Sequence, residues 1–141
     1  GFRCDMAEMV PHEFWKYATE KVKAQYPHIV FIGEVYDPNQ YRTYIAAGFD
    51  YLYDKVGMYD CLRDVMCEHR SANDITRQWQ ATDDIGKHVL YFLENHDEQR
   101  IASNFFCGNM QKGIPDCCCS ISVQSHNDLC RTRVWRKRNG R

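Results

Sequence analysis

Three acidic residues follow short apolar segments at widely separated points of the 141-residue chain. Asp5 ends the first segment, Glu34 follows a run of apolar residues, and Asp97 comes three polar residues after another such run. Carboxyl groups can act as nucleophiles or exchange protons in enzymes. If these segments are parallel strands, their carboxyl ends meet at the sheet edge where α/β proteins place their chemistry.

The residues around Glu34 predict the elements that position it. Apolar residues recur at helical spacing from Phe14 through Trp15 to Tyr26, and Pro27 ends the pattern, so we expect an amphipathic helix whose apolar side chains pack on a core. The next segment is apolar at consecutive positions, Ile29 to Ile32. A strand covered on both faces has this pattern, whereas a half-exposed strand alternates.

The same patterns continue along the chain. Predicted strands cover residues 1–5, 28–35, 49–53 and 88–94, and predicted helices cover 11–26, 38–47 and 59–81, the last interrupted at 71–74. Strands that alternate with helices predict an α/β fold with a parallel sheet and right-handed crossovers. Four strands form half of an eight-stranded barrel or a small open sheet. The acidic residues at the strand ends favour the barrel.

Three motifs carry a resemblance to a known family. Gly1-Phe2-Arg3-Cys4-Asp5, Ile32-Gly33-Glu34-Val35 and Phe92-Leu93-Glu94-Asn95-His96-Asp97 resemble, in order and spacing, the motifs on strands four, five and seven of the alpha-amylase family, glycoside hydrolase family 13. The resemblance implies a partial (β/α)8 TIM barrel, about strands four to seven with their helices, over residues 1–115.

The resemblance also implies roles for individual residues. Asp5 matches the catalytic nucleophile, Glu34 the general acid/base and Asp97 the third catalytic carboxylate. The positions implied to support or bind substrate are Arg3, which keeps the nucleophile ionised, and the pair Asn95 and His96. A retaining hydrolase needs two carboxyl groups about 5 to 5.5 Å apart, one ionised and one protonated. We therefore expect a retaining alpha-glucan hydrolase that cleaves α-1,4 bonds of starch or maltooligosaccharides, with little or no activity in these 141 residues alone.

Alternatives stay open at this point. Many family members carry a Lys-His pair shortly after the nucleophile, and Glu8-Met9 occupy those positions here, which leaves the substrate preference open. Transglycosylases and branching enzymes share the three carboxylates. A carbohydrate-binding remnant without catalysis is a third interpretation.

No cofactor or metal is identified in the sequence, because the family's calcium-site elements are expected upstream of Gly1. The apolar runs are shorter than the roughly 20 residues of a membrane span, and the first residues lack the layout of a signal peptide. The expected partner is an alpha-glucan, with neither membrane nor nucleic acid. Localisation and oligomeric state stay open.

The segment 116–141 differs from the rest of the chain. It is basic, whereas residues 1–115 are acidic on balance, and it contains Cys117, Cys118, Cys119 and Cys130. Adjacent cysteines fit a zinc site poorly, and the segment lacks an apolar period on which a nucleic-acid-binding module would be built. Read one base later, codons for His126 to Arg141 can encode Tyr-Ala-Gly and Glu-Phe-Gly stretches resembling the family's eighth strand. We interpret the segment as an irregular, frame-shifted tail.

Overall fold

The computed structural model describes residues 1–107. The predicted boundary after Pro115 and the tail 116–141 lie outside the described residues. The described part contains one sheet of four parallel strands in the order β1-β2-β3-β4. The strands are β1 Phe2–Cys4, β2 Phe31–Gly33, β3 Tyr51–Tyr53 and β4 Val89–Leu90.

Helices connect the strands, as the sequence predicts. They are α1 His12–Gln25, α2 Tyr41–Ala46, α3 Asp60–Met66, α4 Asn73–Ala81 and α5 Asn104–Cys107. Shorter elements are 3₁₀ turns at Ala7–Met9, Pro38–Gln40 and Asp83–His88 and a π-helical turn at Lys55–Tyr59. A break separates α3 from α4, as predicted, but it covers residues 67–72 rather than 71–74, and the Ser71 hydroxyl accepts a hydrogen bond from the Asn73 N–H, 3.3 Å. The α/β prediction is confirmed.

Aromatic and aliphatic side chains form the core between the sheet and its helices. Phe49, just before β3, makes edge-on or tilted ring contacts with Trp15 of α1, Phe31 of β2 and Tyr44 of α2. Leu52, in the middle of β3, is fully buried. In β2, Phe31 and Gly33 are buried and Ile32 is partly buried, which fits the continuously apolar sequence of this strand.

The fourth strand is shorter than predicted. Residues 89–93 are all buried, as the apolar run indicates, yet only Val89 and Leu90 pair with β3. β3 ends at Tyr53 because Asp54 turns the chain into the π-helical turn, where its carboxylate accepts hydrogen bonds from two backbone N–H groups. The residues after Leu90 therefore lie beyond the last residue of β3 that could pair with them.

Helix α1 only partly follows the predicted packing. Trp15 and Val22 pack against the core, but Phe14 is 53% and Tyr26 61% exposed, so their predicted burial was wrong. Tyr26 caps the helix with φ −130° and ψ 77°, and its side chain leaves the helical stripe. Phe14 lies on the helix that follows β1, an edge strand of the described sheet, where Phe2 is also half exposed.

No helix within residues 1–107 combines the length and the apolar character that crossing a bilayer requires.

Candidate active site

Two of the predicted site residues lie at adjacent strand ends. Asp5 directly follows β1, and Glu34 directly follows β2. The pairing of Cys4 with Gly33 puts the two acidic residues at the same height of the sheet. Backbone hydrogen bonds hold this junction, since the Glu34 N–H donates to the Cys4 carbonyl, 3.0 Å, and the Glu34 carbonyl accepts from the Ala7 N–H, 2.9 Å.

Gly33 is required for this geometry by close packing. A Cβ atom at this position would lie 2.9 Å from side-chain atoms of both Leu52 and Phe49. Both neighbours are buried and have little room to move. The glycine of the Ile-Gly-Glu motif therefore lets β2 lie close to β3 immediately before Glu34.

The Arg3 side chain lies among the three predicted carboxylates. One guanidinium nitrogen donates to Asp5 Oδ1, and the other lies 3.2 Å from Glu34 Oε1 and 3.9 Å from Asp97 Oδ2. Residues separated by about thirty and sixty positions in the sequence thus meet around one positive charge. Partial burial alone would lower the pKa of Arg3, but the hydrogen bond to Asp5 and the charges of Glu34 and Asp5 raise it. Arg3 therefore stays protonated.

The three carboxylates differ in exposure. The Glu34 side chain is 7% exposed, whereas those of Asp5 and Asp97 are 73% and 49% exposed. Glu34 accepts a hydrogen bond from the Met6 N–H, 2.9 Å, in addition to its contact with Arg3. One buried carboxyl beside two solvated ones is an arrangement that can divide acid, base and nucleophile roles among chemically similar groups.

Tyr36 contributes a further donor. Its hydroxyl lies 3.4 Å from Glu34 Oε1, and burial together with the negative charge of Glu34 raises the pKa of this phenol. The hydroxyl therefore stays protonated and donates to the carboxylate. The Tyr36 residue is 36% exposed, which leaves part of its ring accessible beside the carboxylates.

Glu8, at the position where the sequence departs from the family pattern, has a structural partner. Its Oε2 accepts hydrogen bonds from the backbone N–H groups of Tyr36, 3.0 Å, and Asp37, 3.1 Å. The Tyr44 hydroxyl donates to the Glu8 carbonyl, 3.2 Å. Glu8 thus joins the segment after Asp5 to the segment after Glu34. The sequence did not predict this contact, because its only signal was an acidic residue near a motif.

Asp97 lies in a loop rather than at a strand end, seven residues after β4. His96 Nε2 lies 3.1 Å from Asp97 Oδ2, and the His96 side chain is 67% exposed. Asn95 has a local role, since its Oδ1 accepts from the N–H groups of Asp97 and Glu98, each 2.9 Å. His96 and Asp97 therefore lie near the carboxylates, whereas the Asn95 carbonyl oxygen is engaged in the loop's own turn.

Lys55 and Glu98 form an ion pair, 3.1 Å, next to this loop, and neither residue was selected from the sequence. The signals were present: Glu98 directly follows Asp97, and Lys55 lies two residues after β3. Neither signal is distinctive without knowledge of the distance between them.

Other candidate sites in the described residues are limited. Residues 1–107 contain no group of three or more His, Cys, Asp or Glu side chains arranged to hold a metal ion. An open groove of about 620 Å³ lies between α1 and α2, and residues such as His12, Lys16 and Thr43 line it. None of the predicted site residues lines this groove, so we consider the carboxylates separately from it.

A solved structure shares this architecture. The chain is similar to the crystal structure of an alpha-amylase from Lactobacillus plantarum, with 26% sequence identity and a TM-score of 0.62, over 72% of this chain and 28% of that chain. The chain thus spans little more than a quarter of that protein's length. No protein-family model matches the chain. No curated protein matches it either. The described residues have an amylase-like α/β fold of the partial-barrel type.

Proposed function

We propose that this chain carries the central part of the active site of a retaining alpha-glucan hydrolase of the alpha-amylase family. One observation carries the proposal: the Arg3 guanidinium contacts Asp5, Glu34 and Asp97 together. The structural likeness to an alpha-amylase supports it independently. The substrate class is an alpha-glucan such as starch or a maltooligosaccharide.

In the first step, the ionised Asp5 attacks the anomeric carbon of the sugar, and the glycosidic carbon–oxygen bond breaks. Glu34 gives its proton to the departing oxygen, and an ester joins Asp5 to the sugar. In the second step Glu34 takes a proton from water, and the resulting hydroxide displaces Asp5. The product has the original anomeric configuration, and both carboxyl groups return to their starting states.

The surroundings of the two residues suit these roles. The Asp5 carboxylate is exposed, so a substrate can reach it, and it accepts a hydrogen bond from the Arg3 guanidinium, which holds its orientation. Glu34 is buried, and its neighbours all donate hydrogen bonds to it. When Glu34 is protonated, its O–H needs an acceptor, which neither the Arg3 guanidinium nor the Met6 N–H can be. The glycosidic oxygen of a bound substrate is such an acceptor.

Asp97 and His96 complete the proposed site as groups that bind sugar hydroxyls. The His96 side chain is 67% and the Asp97 side chain 49% exposed, so their polar atoms are accessible to a ligand. The partly exposed ring of Tyr36 is a surface on which a sugar ring can stack.

Turnover and labelling measurements on the 141-residue chain test the proposal directly. We expect weak turnover of maltooligosaccharides, because only four strands surround the site in the described residues. NMR of the first product should show the α-anomer. A fluorinated glucosyl fluoride, which slows the second step, should form an ester on Asp5 that peptide mass spectrometry detects.

Asp5→Asn and Glu34→Gln should each abolish the turnover, by on the order of 10³-fold or more. Asp84→Asn is the matched control, since Asp84 is an exposed carboxylate paired with Arg42 and lies outside the proposed site. Turnover or labelling that survives Asp5→Asn would refute the assignment.

Saturable sugar binding without turnover or labelling would instead favour a carbohydrate-binding remnant. Transfer of the sugar to a second glucan would favour a transglycosylase or branching enzyme.

A further inference from the structure

The Asp97 carboxylate is held loosely by its own contacts. It lies 3.9 Å from the Arg3 guanidinium and 3.1 Å from His96, and its side chain is about half exposed. Its backbone is held more firmly, because the Asn95 side chain accepts from the N–H groups of Asp97 and Glu98. The position of the carboxylate therefore depends on what fixes the loop backbone.

Glu98 joins this loop to the end of β3. Its Oε1 lies 3.1 Å from Lys55 Nζ, and the two side chains are only 13% and 18% exposed. Lys55 follows Asp54, whose N–H donates to the Leu90 carbonyl and whose buried carboxylate accepts from the N–H groups of Gly57 and Met58. One end of the ion pair thus lies in the hydrogen-bonded turn that follows β3.

The Lys55 ammonium group is itself well oriented. It donates to Asp60 Oδ1, 2.8 Å, and lies 4.9 Å from the centre of the Tyr59 ring. That ring stacks on Phe92, with centroids 5.0 Å apart and planes 15° apart. Partial burial alone would lower the pKa of Lys55, but the hydrogen bonds to Asp60 and Glu98 raise it, so the ammonium keeps its charge.

We propose that Lys55, acting through Glu98, is a positioning residue that holds Asp97 beside the other two carboxylates. The inference rests on the proposed function for its catalytic consequence. Consecutive Cα atoms are about 3.8 Å apart, so fixing Glu98 restricts Asp97 directly. A displacement of about 1 Å in such a group can lower a catalytic rate about 100-fold.

The first test measures the loop without any substrate. Amide hydrogen exchange is compared between the wild-type chain and the variants Lys55→Met, Lys55→Arg, Glu98→Gln and Asp60→Asn. Lys55→Met and Glu98→Gln should speed exchange at Asp97 and Glu98 at least about 10-fold, because these amides lose protection when the loop opens locally. Lys55→Arg should restore protection. Asp60→Asn removes the charge of a Lys55 partner outside the loop but keeps the Lys55–Glu98 ion pair, so it should speed exchange at Asp97 and Glu98 less than Lys55→Met does.

The amides of Gly57 and Met58 are internal references in the same samples. They donate to Asp54 and should keep their exchange rates if Lys55→Met leaves the end of β3 folded. Unchanged exchange at Asp97 and Glu98 would refute the positioning role, whether or not the chain hydrolyses glucan.

The second test measures maltooligosaccharide turnover well below the melting temperature of each variant. Lys55→Met should lower kcat about 10-fold to 100-fold with a much smaller change in KM, and Lys55→Arg should recover most of the rate. A purely structural role would lower the melting temperature and leave kcat of the folded molecules unchanged. Faster loop exchange with an unchanged kcat would overturn the inference, whereas a wild-type chain with neither turnover nor labelling of Asp5 would overturn the proposed function instead.

Discussion

The two edges of the sheet use carboxylates in different ways. At the amino-terminal edge, Asp50 precedes β3, and its side chain accepts from the Phe31 N–H and the Lys23 ammonium, each 2.8 Å. At the carboxyl-terminal edge, the side chains of Asp5, Glu34 and Asp97 converge on Arg3. Asp50 therefore joins backbone and helix, whereas the other three carboxylates join mainly one another through a shared cation.

The two edges differ in how the charges of their carboxylates are compensated. Asp50 has one positive partner and a backbone donor, so its charge is compensated within the fold. The carboxyl-terminal edge places three acidic groups around a single guanidinium, and the side chains of two of them, Asp5 and Asp97, are 73% and 49% exposed. Such an excess of like charge adds little to stability, but it provides groups that can react with or bind a ligand.

Asp54 sharpens the comparison, because it lies at the carboxyl end of β3 yet is 1% exposed and fully engaged. Its carboxylate accepts from two backbone N–H groups and from the Tyr41 hydroxyl, 2.9 Å. We expect Asp54→Ala to have the largest effect on stability, about 3 kcal/mol or more, since it leaves two buried N–H groups without this acceptor and the Tyr41 hydroxyl with only the distant Tyr53 carbonyl, 3.5 Å. Urea unfolding measures it, and a loss below about 1 kcal/mol would contradict this assignment.

Asp50→Asn should have a smaller effect, about 1 to 2 kcal/mol in the free energy of unfolding. The amide keeps one acceptor for the Phe31 N–H but loses the charge that pairs with Lys23. Sugar binding and labelling of Asp5 should be retained in the folded variant. If Asp50→Asn abolished labelling while the chain stayed folded, the proposed division between the two edges would not hold.

The smallest effect we expect is a pH dependence that distinguishes Asp54 from exposed carboxylates. Burial raises the pKa of Asp54 above its ordinary value, despite hydrogen bonds that lower it. Its contribution to stability is therefore complete below the unfolded-state pKa near 4 and decreases as pH rises through the folded-state pKa. Relative to Asp54→Asn, which cannot ionise, the wild-type chain should lose stability over this interval. If the wild-type chain instead gained stability relative to Asp54→Asn as pH rises, the raised pKa of Asp54 would be contradicted.

Much of the fold follows from local pattern. The apolar run from Ile29 to Ile32 and the helical stripe containing Trp15 and Val22 predict a buried strand and a core-facing helix, and both are present. The limits of β4 were not predictable, because they depend on where β3 ends, and Asp54 determines that end through hydrogen bonds made within the fold. Exposure of Phe14 was missed because periodicity does not show where a sheet has its edge.

Some residues of the candidate site were predicted from the sequence, and some of its contacts were not. The motifs identify Arg3, Asp5, Glu34 and Asp97 as residues of interest, since each follows or lies in a strand-like segment. The contacts of Glu8 with the backbone after Glu34, and of Lys55 with Glu98, have no counterpart in the motifs.

The kind of each element and the order of the elements could thus be predicted from the sequence, because the spacing of apolar residues is a local pattern. Convergence of the acidic residues on Arg3, and the partners of Glu8 and Lys55, arise from the tertiary structure. Parallel pairing brings together residues about thirty positions apart, and the loop conformations then determine which of their atoms come within hydrogen-bond distance.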